Sequence, residues 1–328
     1  MIDRVMSLPP ARGPLSDHVI AALGSSLHPI EGHPEVASGD ALADDDFQLA
    51  LYLCYELHYT SIRGVDARWE WEPSLLGFRR RLEDRFEKEL SARVPEPLGT
   101  VGITDELRSL AAADGTVSLS RYLEEEPSLE RFKEFVVHRS AYQLKEADPH
   151  SWVLPRLGGK AKAALVEIQA DEYGGGRAEA MHAVLFAASM SALDLDARYG
   201  AYLDRIPGIT LAGVNLMSMF GLQRRWRGAV VGHLALFEMS STEPNRRYGN
   251  ALRKLGYGPE ATRFYDEHVE ADAVHEAIAA YDLAGSLAEE EPGVAPDISF
   301  GARCLMYLED LWAEQMIGAW SAGRSSLL

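Results

Sequence analysis

The amino-acid sequence predicts an all-α protein, folded as a bundle of seven or more helices. Apolar residues recur at the spacing of an amphipathic helix along most of the 328 positions. Segments in which apolar and polar residues alternate, as in a half-buried strand, are missing. One apolar run, residues 228–237, fits either a buried helix or a strand, but helical patterns flank it on both sides. The pattern as a whole therefore favours helices.

The charge balance limits the possible partners. The chain has 32 basic and 50 acidic residues, a formal net charge of −18 at pH 7. Binding to nucleic acid depends on clustered Lys and Arg that neutralise phosphates, and an anionic membrane surface demands the same. This composition argues against both partners.

Cysteine usage and targeting signals predict a cytoplasmic protein. Cys54 and Cys304 lie far apart and match no zinc or redox spacing. The N-terminal residues do not resemble a signal peptide, and no apolar run approaches the roughly 20 residues that span a bilayer. We therefore expect a reduced, cytoplasmic chain.

Residues 1–127 are predicted to form an N-terminal helical region. Three consecutive aspartates, Asp44 to Asp46, suit the positive end of a helix dipole and predict that a helix begins directly after them. The helices predicted in this region span residues 16–27, 47–62, 69–92 and 105–112.

This region contains more large aromatic residues than one helix face requires, namely Tyr52, Tyr55, Tyr59, Trp69 and Trp71. Surplus aromatic surface commonly binds a partner. We therefore expect a homodimer that forms through residues 1–127.

Residues 128–328 are predicted to form a second, larger helical domain. Its first helix ends before Asp148-Pro149, because the residue before a proline disfavours helical geometry. Gly174, Gly175 and Gly176 separate the next two helices. The predicted helices span residues 128–146, 160–172, 177–193, 209–220, 222–239, 245–255, 259–287 and 298–320.

The helix predicted from Pro259 to residue 287 carries the clearest functional signal. At about 100° per residue, His268, Asp272 and His275 lie on one face within roughly 60° of one another. The inward stripe of such a helix is normally apolar, and unpaired polar groups buried there would each cost several kcal/mol. A bound metal ion compensates that cost directly; a solvated helix face is the alternative.

Two other helices supply polar residues that do not suit a plain core. Glu172 and His182 are about 80° out of register on an ideal helix, but a break at Gly174 to Gly176 could bring them together. The alternative is a simple turn with Glu172 in solvent. Glu146 lies near a helix C-terminus, where a carboxylate is unfavourable unless a cation is close.

Together these residues form a candidate ligand set for two metal ions. Helical bundles build di-iron sites from inward-pointing carboxylates and imidazoles in this way. Oxygen and imidazole donors without thiolate favour iron or manganese over structural zinc. The candidates are Glu146, Glu172, His182, His268, Asp272 and His275, with Asp148, Glu167 and Asp171 as nearby alternatives to Glu146.

The order and spacing of these six residues resemble the haem-oxygenase-like di-iron oxidases and oxygenases. Within that family the spacing is most similar to N-oxygenases that form nitrosoureas. The segments 167–174 and 232–238 also resemble bacterial proteins described as iron-containing redox enzymes. The resemblance covers roughly residues 128–320. Those N-oxygenases also carry a C-terminal cupin domain, which has no counterpart up to Leu328.

The resemblance implies a haem-oxygenase-like bundle with two Fe(II) ions, no haem, and an O2-dependent oxidoreductase activity. N-oxygenation of an amine or amino-acid derivative is the expected reaction. Oxidative C–C cleavage or desaturation of an acid or amino acid is the alternative on the same site. The implied partners are a small-molecule substrate, O2 and an unidentified electron donor. Arg139, Gln143 and Tyr173 are candidates for contacting the substrate.

Other readings of the same residues remain open. The protein could hold a structural ion without redox chemistry, or use redox-inert metals for hydrolysis. A haem protein would need one proximal histidine, for which His138 is available, but a haem pocket gives no reason for the triplet. His233 and Glu238 do not share a helix face, so His233 is expected to be a hydrogen-bonded core residue or a partner of a metal ligand.

Overall fold

The computed structural model describes residues 5–32, 34–36, 39–95, 102–113 and 117–328, and within the last range it leaves out the side chains of residues 272 and 273. In these ranges the chain is helical, and the only β-type pairing is an isolated bridge between Met6 and Ile62. The predicted all-α class is confirmed. The apolar run 228–237 is helical.

The helices of the N-terminal region are α1 (Pro14–Leu23), α2 (Asp45–Glu56), α3 (Pro73–Arg93), α4 (Ile103–Ala111) and α5 (Leu119–Glu125). The following helices are α6 (Leu129–Gln143), α7 (Asp148–Ser151), α8 (Gly159–Glu172), α9 (His182–Ala192), α10 (Gly208–Leu222), α11 (Arg227–Ser240), α12 (Thr242–Lys254) and α13 (Pro259–Ala277). A π-helical segment (Ile278–Gly285) joins α13 without a break to α14 (Ser286–Glu290), and α15 (Ala295–Ser321) ends the bundle.

Three consecutive aspartates begin three different helices. Asp44 Oδ1 accepts from the Phe47 amide of α2, as expected for an N-cap. Asp45 Oδ1 accepts from the Gly208 amide at the start of α10, and Asp46 accepts from the amides of Leu15 and Ser16 in α1. One short sequence thus supplies negative charge to the positive ends of three helices.

Several predicted helix limits were wrong for identifiable reasons. The helix predicted over 47–62 ends at Glu56, because Ile62 leaves it to pair with Met6. The helix predicted over 69–92 begins at Pro73, where proline suits the first helical position. The helix predicted over 128–146 ends at Gln143, and Asp148-Pro149 begins α7. The helix predicted from residue 177 begins at His182.

Helices α11 and α15 form the most extensive pair in the bundle, and glycine allows their backbones to touch. A Cβ atom on Gly232 would lie 1.8 Å from the carbonyl oxygen of Ile298, and one on Gly301 would lie 1.9 Å from that of Ala229. Neither position accepts a side chain without moving a helix. This contact fixes α11, which carries part of the functional site described below.

The N-terminal helices share one hydrophobic core with the rest of the chain. Helices α1 and α2 pack together, α2 packs on α10, and α4 packs on both α11 and α15. The boundary at residue 127 between two domains stays a prediction.

The aromatic residues expected at a dimer interface are mostly part of this core. Tyr52, Tyr55 and Trp69 are fully buried and Tyr59 is half-buried, whereas Trp71 is 65% exposed. Their number therefore no longer supports an interface, and only Trp71 offers free aromatic surface. The homodimer stays a prediction. Among the described residues, no helix is long and apolar enough to cross a membrane.

The contact between α11 and α15 gives a direct stability test. We expect Gly301→Ala to lower the free energy of unfolding by about 1–3 kcal/mol, because the added methyl group overpacks the interface. Chemical denaturation of the purified variant measures this.

Gly318→Ala in the same helix is the matched control, since no atom lies within 4 Å of a Cβ built there. It should leave stability unchanged or raise it by up to about 1 kcal/mol, as expected for Gly→Ala in an exposed helix. Equal effects of the two substitutions would contradict the close contact.

Candidate metal centre

Helix α13 turns its histidines inward, as its sequence pattern predicts. Phe264, His268 and His275 are buried on one face, and Glu270 on the opposite face is exposed. The alternative of a solvated face is therefore wrong for both histidines. The side chain of Asp272, the third member of the triplet, lies outside the part that the structure describes.

Glu146 lies in the turn between α6 and α7, which is held on two sides. On one side, the buried ammonium group of Lys145 pairs with the buried carboxylate of Glu56 from α2. On the other side, the side-chain amide of Gln169 in α8 donates a hydrogen bond of 3.1 Å from Nε2 to the carbonyl oxygen of Ala147. Glu146 is therefore fixed relative to both α2 and α8.

The three glycines between α8 and α9 reverse the chain and bring Glu172 to His182. Gly174, Gly175 and Gly176 have φ angles of 69°, 59° and 81°, a region that favours glycine. A Cβ atom on Gly174 would also lie only 2.6 Å from the backbone of Ala180. The turn leaves Glu172 buried, with its Oε1 atom 3.1 Å from His182 Nδ1. The alternative of a solvated Glu172 is wrong.

Four of the predicted ligands meet at one point. One ligand atom from each lies within 4.8 Å of the others, and all four side chains are buried: Glu146, Glu172, His182 and His268. The Nε2 atom of His268 is 3.5 Å from Glu146 Oε1, and the rings of His182 and His268 are 4.4 Å apart. Four different segments of the bundle contribute to this group, which we call the first group.

The first group has buried oxygen and nitrogen atoms without hydrogen bonds. Within the described residues, Glu146 Oε2, Glu172 Oε2 and His182 Nδ1 have no hydrogen-bond partner. His182 Nδ1 is close to Glu172 but lacks hydrogen-bond geometry. Unsatisfied buried groups of this kind cost about 1–3 kcal/mol each, more when charged. A cation at this point would satisfy them.

The hydrogen bond of His268 prepares its other nitrogen for coordination. Nδ1 lies 2.8 Å from the carbonyl oxygen of Phe264, and since a carbonyl only accepts, Nδ1 carries the proton. The other ring nitrogen, Nε2, lies 3.5 Å from Glu146 Oε1 and offers a lone pair when the ring is neutral, which is the form that a metal requires. A backbone carbonyl that fixes the tautomer of a histidine is typical of metal ligands.

His275 belongs to a second group. It shares this group with Glu172 and Glu238, again within 4.8 Å and again buried. Nδ1 of His275 is 3.2 Å from Glu238 Oε2, and Nε2 is 3.0 Å from Asp171 Oδ2. Burial lowers the pKa of His275, but the bonds to Glu238 and Asp171 outweigh it and raise the pKa to about 9.

Glu172 belongs to both groups and so connects them. Burial opposes its charge, but the neighbouring imidazole of His182 lowers the pKa of Glu172 to about 2. The carboxylate is therefore ionised at neutral pH. Its two oxygens allow it to serve two adjacent cations.

Glu238 was not among the predicted ligands. Its spacing from His233 suggested that it pointed elsewhere, whereas its partner is His275 on another helix. One feature of the sequence could have indicated Glu238: it is the single carboxylate in α11, a mostly apolar helix, and it is buried there. Asp171, one of the alternatives to Glu146, is 59% exposed and bonds to His275.

The remaining histidines of interest have protein partners. His233 Nδ1 is 3.1 Å from His150 Nε2, so His233 is a hydrogen-bonded core residue, as expected. His138 is hydrogen-bonded at both ring nitrogens, to Thr210 and Ser326. Both ring nitrogens of His138 therefore have hydrogen-bond partners within the protein.

The chemistry of the two groups fits metal ions of the iron type. The donors are carboxylate oxygens and imidazole nitrogens, and both cysteines of the chain are free and buried. Such donors suit first-row divalent metals. A cation would lower the electrostatic energy of the first group, because it would contact the buried oxygen and nitrogen atoms that have no hydrogen-bond partner among the described residues. In the second group a metal ion would take the place of the proton on His275, which two carboxylates contact.

Comparison with known proteins agrees with this chemistry. Residues 133–310, more than half of the chain, match a family described as iron-containing redox enzymes with a haem-oxygenase-like fold. The matched span contains every residue of both groups. No curated protein matches the chain.

The turn that holds Glu146 can be tested through its buried ion pair. We expect Lys145→Met to lower the free energy of unfolding by about 3–5 kcal/mol, since it leaves Glu56 buried without its cation. It should also weaken metal binding by about 10- to 100-fold, the usual effect of removing a group that positions a ligand. Chemical denaturation and titration with Mn²⁺ measure the two effects.

Arg303→Met is the control, because Arg303 pairs with buried Glu106 and also donates a hydrogen bond to Ser299, and neither residue belongs to the two ligand groups. It should lose stability but keep its affinity for Mn²⁺. Equal losses of affinity in both variants would show that Lys145 has no specific effect on Glu146.

Metal binding should release protons from the second group. His275, with its pKa of about 9, is protonated in the metal-free protein at pH 7, and a metal requires the neutral ring. Affinity should therefore rise with pH up to about pH 9. Calorimetry in buffers of different ionisation enthalpy counts the protons, and His275→Gln should release fewer. Pure metal binding without proton release would contradict this assignment.

Proposed function

Since the chain belongs to the family of iron-containing redox enzymes, we propose that it is an O2-dependent, non-haem di-iron oxidoreductase. The observation that supports this most strongly is the pair of buried ligand groups joined by Glu172. One cation would need a single group. Two groups with a shared carboxylate suit two ions.

We assign the ligands as follows. Glu146, His182 and His268 would hold one iron ion, and His275 would hold the other together with Asp272, which its position in α13 suggests. Glu172 would serve both ions. Glu238 would either bind the second ion directly or fix the ring of His275, to which it is bonded. Iron held in this way would supply the electrons and Lewis acidity for reaction with O2.

The protein itself would exclude water and orient these groups. Tyr142, Leu234 and Phe237 line the narrow space beside Glu146 and Glu172. Burial in such surroundings strengthens every electrostatic interaction within the site. His150 borders the same space, and burial lowers its pKa to about 4, so that it is neutral there.

We propose N-oxygenation of an amine or amino-acid derivative as the reaction. The spacing of the six predicted ligands is similar to that in the central domain of the N-oxygenase that forms the nitrosourea of streptozotocin. A cavity of about 540 Å³, large enough for a small organic substrate, reaches Glu146 and His268. The reaction also needs an electron donor. Oxidative C–C cleavage or desaturation of an acid is the second candidate on this site.

Substitution of one histidine from each group tests the proposed function. We expect wild-type protein to bind about two Fe(II) per chain without O2, and then to consume O2 with a transient visible absorption. His268→Ala and His275→Ala should each lose one ion and all O2 consumption while the bundle stays folded by circular dichroism. Iron analysis and stopped-flow absorption measure these outcomes.

His28→Ala, at an exposed position, is the matched control and should behave as wild type. Full iron binding by both site variants would refute the assignment of the ligands. One tightly bound ion without O2 consumption would favour a structural metal site, and turnover with zinc would favour hydrolysis.

A further inference from the structure

A second cavity, which we call the inner cavity, lies inside the bundle between α6, α10, α11 and α15. Its volume of about 40 Å³ is roughly three times the 10–15 Å³ that one water molecule needs. The cavity that reaches Glu146 and His268, which we call the outer cavity, is larger at about 540 Å³. The inner cavity therefore has room for a diatomic molecule, whereas an organic substrate needs the outer one.

The inner cavity adjoins the proposed metal centre. Tyr142 and Phe237 line both the inner cavity and the narrow space beside Glu146 and Glu172. The two rings meet edge to face, with their centroids 5.8 Å apart. One layer of aromatic side chains thus lies between a small molecule in the inner cavity and the metal ligands.

An ion pair and an indole ring lie between the inner cavity and the outer one, because Arg139, Glu309 and Trp312 line both. Arg139 donates two hydrogen bonds to Glu309, at 2.9 and 2.6 Å. Its guanidinium carbon lies 4.2 Å from the ring centroid of Trp312. An organic substrate would have to break this ion pair to enter the inner cavity, whereas a diatomic molecule needs only fast fluctuations of side chains.

The polar groups of the inner cavity already have partners. His138 Nδ1 lies 2.6 Å from Thr210 Oγ1, and His233 Nδ1 lies 3.1 Å from His150 Nε2. The guanidinium and the carboxylate of the dividing wall bond to each other. A buried water molecule needs two to four polar partners, whereas an apolar cavity stays dry and binds apolar molecules such as xenon. The apolar side chains of the lining include Ile209, Val214, Leu216, Met217, Leu305 and Leu308.

A glycine of α10 keeps this space open. Two other glycines of α10 are required by close backbone contacts. A Cβ atom on Gly208 would lie 2.7 Å from the carbonyl oxygen of Asp44, and one on Gly221 would lie 2.4 Å from that of Pro149. Gly213, in contrast, lines the inner cavity, and a Cβ atom there would meet no other described atom within 4 Å. Glycine weakens a helix interior relative to alanine, so Gly213 leaves space at a cost that no contact explains.

We propose that the inner cavity is a binding site for O2, which holds the gas beside the metal centre and apart from the organic substrate. O2 is small and apolar, so it gains free energy when it leaves water for an apolar space. Separate sites allow O2 and a substrate in the outer cavity to be bound together. The role in O2 supply rests on the proposed function, whereas the gas site itself rests on the inner cavity alone.

Metal-free protein with labelled valine and leucine methyl groups tests the site with O2 itself. Because O2 is paramagnetic, it speeds the NMR relaxation of methyl groups that it contacts. We expect a stronger effect on Val214, Leu305 and Leu308 in the inner cavity than on Leu51 and Leu53, which are fully buried in α2. Xenon, which binds apolar cavities, should shift the resonances of the same three residues.

Gly213→Val should abolish both effects, because its side chain occupies the inner cavity. Gly213→Ala adds a single methyl group, should reduce both effects, and serves as the test if the larger side chain prevents folding. Gly77→Val is the matched control and should leave both effects unchanged, since Gly77 is an exposed glycine of α3 with open space at its Cβ position. After loading with Fe(II), Gly213→Val should bind as much iron as wild type but consume O2 more slowly at low O2 concentration.

Three results would overturn the gas site: equal effects of O2 on both sets of methyl groups, equal behaviour of Gly213→Val and Gly77→Val, or strong Overhauser contacts from water to Val214 and Leu308. An unchanged rate of O2 consumption in Gly213→Val would refute the role in O2 supply.

The gas site and the proposed function fail in different ways. Protein that binds no iron, but whose methyl groups respond to O2, would refute the di-iron function and support the gas site. Protein that binds iron and consumes O2 without this response would support the function and refute the gas site.

Discussion

The structure depends on one electrostatic constraint, the burial of Glu146, Glu172 and Glu238 inside a single helical bundle. Three carboxylates in a region of low dielectric repel one another and lose their hydration, and a neighbouring imidazole compensates that cost only while it carries a proton. In the metal-free chain, His275 compensates part of it by holding a proton between two carboxylates. The fold around these groups consists of devices that keep them together despite the repulsion.

Two of these devices act on the backbone. The three glycines after Glu172 reverse the chain so that His182 returns to the same point, and the turn after α6 is held by Lys145 and Gln169. Both devices use residues that lie outside the ligand set. Rigid support of this type is what a metal centre requires, because small displacements of a ligand cost metal affinity. The glycine contact between α11 and α15 serves the same purpose for Glu238.

The sequence was informative wherever the signal was local. The inward face of α13 and the break at the three glycines follow from helical periodicity and glycine chemistry, whereas the sequence left open whether Glu172 is buried or solvated. Glu238 could not be found in this way, because its partner is 37 residues away on another helix. The burial of the aromatic residues in α2 could not be predicted from the sequence either. Tyr52 and Tyr55 are buried against segments distant in sequence, which periodicity does not reveal.

The π-helical segment that follows His275 has a consequence for how this protein can change during evolution. A π-segment arises when one residue is inserted into an α-helix, and such segments are frequent at functional sites. Ala279, Leu283 and Ala284 within it are anchored in the core, whereas the histidines lie before it. Deleting one residue here would restore regular α-helix but rotate the histidine-bearing half by about 100° against the anchored half. A change in the residue count of this segment would therefore displace the ligands, even where it leaves the helix itself intact.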